Sequence, residues 1–564
     1  RSSRLWQHLR ENDRLVHHIE SACWNPGETG LLWVNYTADN GRRDAVEAAI
    51  DAVIAEATQA PPPAHEVEKA VRQAIVGEVN AVKTTSGQAA RLGAAEVVAG
   101  DLGYPALRLE RLKAVTPEHV HAVATRYLRP EHLSRVTLES PAAKPAPITS
   151  RKGTALPDFS VVSLPNGARV LCQPSSGVPK VHLRLLMRGG PLYEAADRRG
   201  ATGVLASLLT KDTARRSAAE VAETVEQLGG TFNEMCGNNT FGLAMEFLSA
   251  DWRSAIDILR GAVLEPAFTQ EAFETERDGQ LASLQEEDDE VLEYGRRRVR
   301  ARFFGDHPYA IDYLGRETDL RSLTLGDITA LRQQLLVGGG AVMAVTGDFD
   351  SAALLPAIED VIGQLPTGNP TGANGTFDGP TPQEVEERLD RQQAVTLQAF
   401  ADVGIRSDGY FASEVLDECF SGMSSRLFQH VREEKGLAYY IASNRVVGLD
   451  CGQFTFFAGT RPETVADVET EIEREIERAC AGNFDDGEIA ACTRHLIVRK
   501  RQNRQSPGAR AMEAALDTLY RDEPNAWRQY DARISALTPE QIAAHARSLF
   551  SHRRSVRLRV LPQT

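Results

Sequence analysis

The sequence predicts an α+β fold made of tandem homologous domains, each packing helices against a mixed or antiparallel sheet. Three observations lead to this prediction. The chain contains a long internal repeat, its segments alternate between strand and helix patterns, and two stretches rich in proline and glycine divide it. With 564 residues, the chain is long enough for three or four domains that each bury their own core.

The repeat relates the two ends of the chain. Ser2 to Glu11 has the sequence SSRLWQHLRE and Ser424 to Glu433 has SSRLFQHVRE, an offset of 424 − 2 = 422. The same offset carries Thr116-Pro117-Glu118 onto Thr538-Pro539-Glu540. Two matches at one spacing indicate a duplicated domain. The last domain is predicted to begin near residue 384, and 384 − 422 = −38, so we expect the first copy to be truncated and the chain to be a fragment.

Turn and linker residues give the domain boundaries. Proline, together with glycine or small polar residues, is concentrated in two stretches, near residues 141–157 and 366–382. This composition is typical of extended linkers. We predict a truncated first domain at 1–140, a central domain at 158–366 and a last domain at 383–564. The linkers between them are predicted at 141–157 and 367–382.

Within the first domain, the apolar run from Leu31 to Tyr36 predicts a strand. Two helices follow, separated by three consecutive prolines at 61–63, which no helix can cross. Thr116 is a predicted helix N-cap with Pro117 at the first helical position. The run from Leu133 to Leu138 predicts a strand that closes the domain.

The central domain opens with two predicted strands around Asn166-Gly167, a strong hairpin signal. The mostly apolar run from Gly200 to Leu209 predicts a helix. Ser217 and Glu220 have the spacing of a capping box at the start of the next helix. A buried strand at 341–346 is predicted to complete this α+β unit.

A segment of the last domain joins an amphipathic helix to a strand. Gly436 can end the helix in a left-handed conformation, and the strand is predicted to begin at Leu437 or Ala438. Arg432 then lies in the last turn of the helix and Tyr439 at the start of the strand. A fixed cation and a phenol at these places could face one cleft and hold a carbonyl oxygen.

The pattern alone leaves an alternative open for this pair. An arginine at a helix end often only offsets the helix dipole, and a strand tyrosine often lies in the core. The first copy has Arg10 at the position of Arg432 but His17 at the position of Tyr439. The repeat therefore keeps the complete Arg/Tyr pair only in its second copy.

Composition excludes several other classes of function. The 63 basic and 78 acidic residues give a net charge of −15, which argues against nonspecific nucleic-acid binding. The seven cysteines include no CxxC pair, and no apolar run is long enough to span a membrane. His119 and His121 are two residues apart on a predicted helix, so they point in different directions and are not expected to bind one metal.

Four segments resemble the pitrilysin/insulinase family of zinc metallopeptidases, the inverzincins, and they occur in the family's order. The resemblance covers essentially the whole chain, as the last three of four homologous domains, and it implies half of a clamshell-like chamber. The segments are GPLYEAADRRGATGVLASLLTKDT at 190–213, FGDHPY at 304–309, VTGD at 345–348 and SSRLFQHVREEKGLAY at 424–439.

The chain departs from the family at the zinc motif H-x-x-E-H. In the register set by Tyr193-Glu194 and Gly200, the motif's two histidines and its glutamate have no counterpart that could bind Zn²⁺. The resemblance therefore implies that the central domain is an inactive copy of the zinc domain. The degenerate positions are Gly203, Ala206 and Ser207, with the third ligand falling on Ala282 or Ser283.

The resemblance implies the non-zinc-binding part of a zinc metalloendopeptidase that degrades peptides or unfolded proteins. Arg432 and Tyr439 would bind the substrate and steady the oxyanion, with Ser424 and Ser425 also contacting substrate. Zinc would be bound by an N-terminal domain or chain and by no residue of this chain. A noncatalytic scaffold or peptide-binding partner is the alternative. We expect a periplasmic location, with a cytoplasmic one as the alternative.

Overall fold

Three β-sheets organise the part of the chain that the structure describes. The structure is a computed structural model, and the residues it describes are 3–27, 29–39, 41–81, 85–137, 156–373, 377–390, 393–422, 425–550 and 554–563. None of the helices in these ranges is both long and apolar enough to cross a membrane. The combination of helices with antiparallel and mixed sheets confirms the predicted α+β class.

The N-terminal module consists of a π-helix, a two-stranded antiparallel sheet and a series of helices. Its helix signals are confirmed where Thr116 caps the last helix by accepting a bond from the His119 amide at 3.4 Å. The elements are the π-helix Trp6–Asn12, β1 (His18–Trp24), β2 (Leu31–Thr37), α1 (Arg43–Gln59), α2 (Ala64–Ala81), α3 (Thr85–Ala94), the π-helix Ala95–Ala99, α4 (Tyr104–Lys113) and α5 (Pro117–Tyr127).

The strand predicted from Leu133 to Leu138 is wrong for residues 133–137, which form no strand. Leu138 lies outside the described residues. In the second copy, the equivalent segment pairs with two strands that lie between residues 383 and 403. Within the described residues, the N-terminal module has the strands β1 and β2, and residues 133–137 pair with neither of them.

The central module contains a six-stranded sheet in the order β3-β4-β8-β5-β7-β6. The β4 and β8 strands are parallel and the other pairs antiparallel. The elements are β3 (Ser160–Ser163), β4 (Arg169–Pro174), β5 (Lys180–Arg188), α6 (Ala201–Leu208), α7 (Ala218–Gln227), β6 (Thr231–Cys236), β7 (Thr240–Leu248), α8 (Trp252–Leu264), α9 (Gln270–Asp289), α10 (Val291–Phe304), α11 (Glu317–Ser322), α12 (Leu325–Leu335), β8 (Ala341–Gly347) and α13 (Ser351–Ile362).

Two local predictions for this module are confirmed. The β3–β4 hairpin turns at Asn166-Gly167, where Gly167 has a positive φ of 93°. Ser217 and Glu220 form the predicted capping box, because the Ser217 hydroxyl accepts from the Glu220 amide at 3.3 Å and the Glu220 carboxylate accepts from the Ser217 amide at 2.8 Å. Both signals act over three or four residues, so the sequence alone determines them.

The C-terminal module contains a five-stranded sheet in the order β11-β12-β10-β13-β9, in which only β13 and β9 are parallel. The boundaries between modules that we predict from the linkers stay a prediction. The elements are β9 (Gln383–Leu389), β10 (Ala394–Val403), α14 (Tyr410–Phe420), the π-helix Leu427–Glu434, β11 (Ala438–Val447), β12 (Cys451–Thr460), α15 (Val465–Ala481), α16 (Glu488–Asn503), α17 (Pro507–Arg521), α18 (Trp527–Ser535), α19 (Pro539–Phe550) and β13 (Ser555–Pro562).

The repeat of 422 residues persists in three dimensions. α1 spans 43–59 and α15 spans 465–481, so both ends differ by 422, and the starts of α5 and α19 differ by 539 − 117 = 422. The strand register is also repeated, since His18 pairs with Thr37 in the first copy and Tyr440 pairs with Gly459 in the second. The two copies therefore keep these elements at equivalent positions, with no net insertion between them.

The central and C-terminal modules exchange one helix each. α10 packs on the sheet of the C-terminal module, where Gly295 lies against Leu397 of β10. α17 packs on the central sheet, where Gly508 lies against Arg184 of β5. Both contacts are buried, and each module needs the other to cover one face of its sheet.

Candidate functional site

The segment that carries Arg432 and Tyr439 begins at a capped helix. Ser425 is buried, and its hydroxyl donates to the Gly422 carbonyl at 2.8 Å and accepts from the Phe428 amide at 3.2 Å. The predicted contact of Ser425 with substrate stays a prediction, and its O–H is already donated to the Gly422 carbonyl. Ser424, the other predicted contact, lies outside the described residues.

The helix that follows is wound as a π-helix and ends as predicted. The Lys435 amide donates to the His430 carbonyl at 3.1 Å, a bond that spans five residues. Gly436 has a φ of 60°, which confirms the left-handed helix end, and β11 then begins at Ala438. Single π-turns occur often at functional sites because they redirect one or two side chains. Here the π-helix contains Arg432 and ends five residues before Tyr439.

The first copy has the same π-turn. The Asp13 amide donates to the His8 carbonyl at 3.0 Å, which is the same bond 422 residues earlier. Arg14 occupies the position of Gly436 and keeps a positive φ of 48°, although a side chain is strained in that region. The backbone of the duplicated segment is therefore retained in a copy that has lost both the glycine and the tyrosine.

Tyr439 lies at an irregularity in the sheet. Ala438 pairs with Thr460 and Tyr440 with Gly459, so Tyr439 is the extra residue of a β-bulge. A bulge changes the direction of the side chains on its strand. The Tyr439 side chain is 57% exposed, which excludes the alternative that it is a core tyrosine.

Arg432 is held by its own helix and remains accessible. Its guanidinium carbon is 4.6 Å from the centroid of the Phe428 ring, and its Nε is 3.7 Å from the Glu433 carboxylate. Arg10 has the same position over Trp6, at 5.1 Å, in the first copy. The Arg432 side chain is 41% exposed, so most of its donors remain available for a ligand.

Neighbouring contacts hold the backbone that carries Arg432 and Tyr439. Lys435 forms an ion pair with Glu471 of α15 at 2.7 Å, which ties the helix end to the body of the module. The Leu437 carbonyl, between Arg432 and Tyr439, accepts hydrogen bonds from the hydroxyls of Thr460 and Thr464. Arg432 and Tyr439 are therefore two exposed donors, each of a type that can bind an oxygen carrying negative charge.

The degenerate zinc positions lie on α6 in a tightly packed environment. Gly203 and Ala206 are buried, and a Cβ atom added at Gly203 would lie 2.5 Å from the Gln280 side-chain oxygen. The Gln280 amide group donates to the carbonyls of Gly200 at 3.0 Å and Leu314 at 2.8 Å. Gln280 thus fills the space that a ligand on Gly203 would need.

Zinc does not fit these residues. Gly203, Ala206 and Ser207 carry no imidazole or carboxylate, and the bonded Gln280 amide blocks the side of α6 at Gly203. Among the residues that the structure describes, no group of three His, Cys, Asp or Glu side chains could hold a metal ion. Sequence reasoning placed the third ligand at Ala282 or Ser283 and did not identify Gln280, whose role depends on carbonyls distant in sequence.

The α+β fold, together with the positions on α6 that carry no zinc-binding side chain, defines the class as a peptidase-family protein. The profile described as "Peptidase M16 inactive domain" matches residues 1–74 and 322–496, and the profile "Insulinase (Peptidase family M16)" matches residues 169–316. The two matches of the inactive domain end one repeat apart, at 496 − 74 = 422. The chain belongs to the M16, or pitrilysin/insulinase, peptidase family.

Relatives named as zinc proteases are similar over most of the chain. An "uncharacterized zinc protease" of Mycobacterium tuberculosis is 26% identical over 430 residues, which are 73% of this chain and 94% of that protein. An "uncharacterized zinc protease" of Bacillus subtilis is 21% identical over 392 residues, 68% of this chain and 94% of that protein.

Solved structures share the fold at low sequence identity. A protease from Helicobacter pylori has a TM-score of 0.67 at 18% identity and covers 72% of this chain and 100% of its own. A peptidase M16 inactive domain from Pseudomonas fluorescens has a TM-score of 0.67 at 19% identity, with 72% and 98% covered. A chain of Complex III2 from Candida albicans has a TM-score of 0.61 at 16% identity, with 72% and 95% covered.

Proposed function

We propose that the chain is the non-zinc-binding portion of a zinc metalloendopeptidase that cleaves peptides or unfolded proteins. Arg432 and Tyr439 bind the substrate carbonyl and steady the negative charge that develops on its oxygen. The observation that carries the proposal is the exposure of both donors on a backbone fixed by the π-turn, the bulge and the Thr460 bond. Donors preorganised in this way contribute about 3 kcal/mol each to transition-state stabilisation.

The proposed partner is an N-terminal zinc-binding domain, on the same polypeptide or on a separate chain. Leu31 and Leu32 of β2 are 57% and 47% exposed, whereas their equivalents Gln453 and Phe454 are 1% and 0% exposed. In the second copy, β12 pairs with β10, and its Phe454 packs against Phe420 and Phe550. Within the described residues β2 pairs only with β1, so its other edge and its apolar side chains are available to a partner that supplies a strand.

A peptidase assay tests this proposal. The purified chain alone is expected to cleave no fluorogenic peptide, whereas the chain joined to its zinc-binding domain is expected to cleave it in a manner that a chelator abolishes. Chelator-resistant cleavage by the chain alone would contradict the proposal. The proposal would also be contradicted if the assembly, with zinc bound at its site, cleaved no peptide. That result is expected for a noncatalytic scaffold or peptide-binding partner.

The alternative is a noncatalytic scaffold or peptide-binding partner of the same family. The similarity in fold to a chain of Complex III2 favours it, because that neighbour is part of a larger assembly. Peptide binding without cleavage by the complete assembly would identify this role. A periplasmic location is also proposed, with the cytoplasm as the alternative, and cell fractionation with immunodetection distinguishes them.

A further inference from the structure

A cleft of about 650 Å³ lies between the central and C-terminal modules, and neither Arg432 nor Tyr439 is among the residues that line it. This size is typical of sites for small ligands. Both modules contribute to its lining, through the segment after β5, the segment after α13 and the turns at the ends of β10 and β11. A second cleft of about 550 Å³ shares Arg188 and Arg406 with it, so the two guanidiniums lie at their boundary.

Arg188 is the more available of these two cations. It is the last residue of β5, is half-buried and donates to the Leu519 carbonyl at 3.4 Å. Among the described residues, no ion pair is formed by Arg188. A guanidinium carries five N–H donors, so a half-buried one with a single long bond has donors left for an acceptor that enters the cleft.

Arg406 lies across the cleft from the central module. Its Nε donates to the Tyr520 carbonyl at 2.9 Å, which fixes its direction. Its only carboxylate contact in the described chain is with Asp450 at 3.4 Å, and the Asp450 side chain is 75% exposed. Such a pair is weak in solvent and can be replaced by a ligand carboxylate. Asp378 also lines the cleft but is exposed at its rim.

An aromatic and aliphatic wall adjoins the two arginines. Phe377 packs against the His307 ring at a centroid distance of 5.8 Å, and Leu192 and Leu449 complete the apolar surface. Tyr193 also lines the cleft. Burial raises the pKa of Tyr193, and the charges of Arg188 and Arg406 oppose that rise, so both guanidiniums act on the phenol.

We propose that this cleft binds a carboxylate that carries an apolar side group, such as the free C-terminus of a peptide ending in an aromatic or aliphatic residue. Arg188 and Arg406 receive the carboxylate, and the wall formed by Leu192, Phe377 and Leu449 receives the apolar group. The two guanidiniums orient the carboxylate of the ligand, and the wall provides the apolar contact area. Small-molecule sites usually combine a few polar groups with an apolar lining in this way.

Isothermal titration calorimetry of the chain with N-acetyl-phenylalanine tests the proposal, and no hydrolysis is needed for the measurement. Saturable binding is expected, at least tenfold tighter than for the corresponding amide, which lacks the negative charge. Arg188→Gln and Arg406→Gln should each weaken binding about tenfold, whereas Arg188→Lys should weaken it less. Arg494→Gln, at an exposed arginine outside both clefts, should leave affinity within twofold.

Three results would overturn the proposal. The first is the absence of saturable binding, and the second is equal affinity for the acid and the amide. The third is equal affinity for inorganic phosphate and N-acetyl-phenylalanine, because the apolar wall would then contribute nothing. None of these outcomes depends on the peptidase role, so this inference and the proposed function can fail separately.

Discussion

Gly203 and Gln280 give the sharpest energetic prediction from the structure. The three atoms nearest to a Cβ added at Gly203 all belong to the Gln280 amide, at 2.5 to 3.1 Å. Gln280 cannot move without loosening its bonds to the Gly200 and Leu314 carbonyls. Each such bond is worth about 1 kcal/mol. We therefore expect Gly203→Ala to destabilise the chain by about 1–3 kcal/mol.

The effect of Gly203→Ala on the free energy of unfolding should change sign once the Gln280 side chain is shortened. In a Gln280→Ala background the three atoms nearest to the new methyl group are removed, and alanine is favoured over glycine within a helix by about 1 kcal/mol. Gly203→Ala should then be neutral or stabilising. The coupling between the two positions is expected to be about 2 kcal/mol, within the range for residues in contact.

Urea unfolding of the four proteins, followed by circular dichroism, measures this coupling. Hydrogen exchange in α6 shows whether the change is local, since unfolding of a chain with several modules need not be a single transition. Equal destabilisation by Gly203→Ala in both backgrounds would refute the conclusion that Gln280 fills the former ligand space.

Two further predictions concern stability. Arg14→Gly should stabilise the N-terminal module by about 1 kcal/mol, because glycine adopts a positive φ without strain; Gly436→Arg is expected to produce the converse loss, and hydrogen exchange of the two segments measures both. Burial raises the pKa of Asp417 to about 6, and this effect exceeds that of the hydrogen bond from Ser443, which lowers the pKa. The folded state thus binds the proton more tightly than the unfolded state, so stability should fall by about 2–3 kcal/mol as the pH rises from 4 to 7. Asp417→Asn should flatten that part of the urea midpoint's pH profile, and an unchanged profile would contradict the assignment.

Local signals and the repeat could be predicted from the sequence because they depend on near neighbours or on simple comparison. The capping box at Ser217, the turn at Gly167 and the helix end at Gly436 are each specified within a few residues. The 422-residue offset requires no structural knowledge at all. The degenerate zinc positions were implied by the resemblance to the family, and glycine at residue 203 offers no ligand whatever surrounds it.

Long-range packing could not be predicted in this way. The exchange of α10 and α17 depends on which sheet faces remain uncovered after both modules fold. The bulge at Tyr439 depends on the register of β12, and the role of Gln280 depends on carbonyls that lie 34 and 80 residues away. The strand predicted after Leu133 failed for a related reason, because an apolar run becomes a strand only where another strand can pair with it.

The turnover of Tyr439→Phe tests the central claim most directly. In the chain joined to the proposed zinc-binding domain, removal of the phenol hydroxyl is expected to lower kcat about 100-fold and to leave KM nearly unchanged, since the bond strengthens as charge develops. Tyr127→Phe, at an exposed tyrosine of the N-terminal module, serves as the control. A Tyr439→Phe enzyme with the kcat of the unaltered protein would show that Tyr439 does not act on the substrate carbonyl.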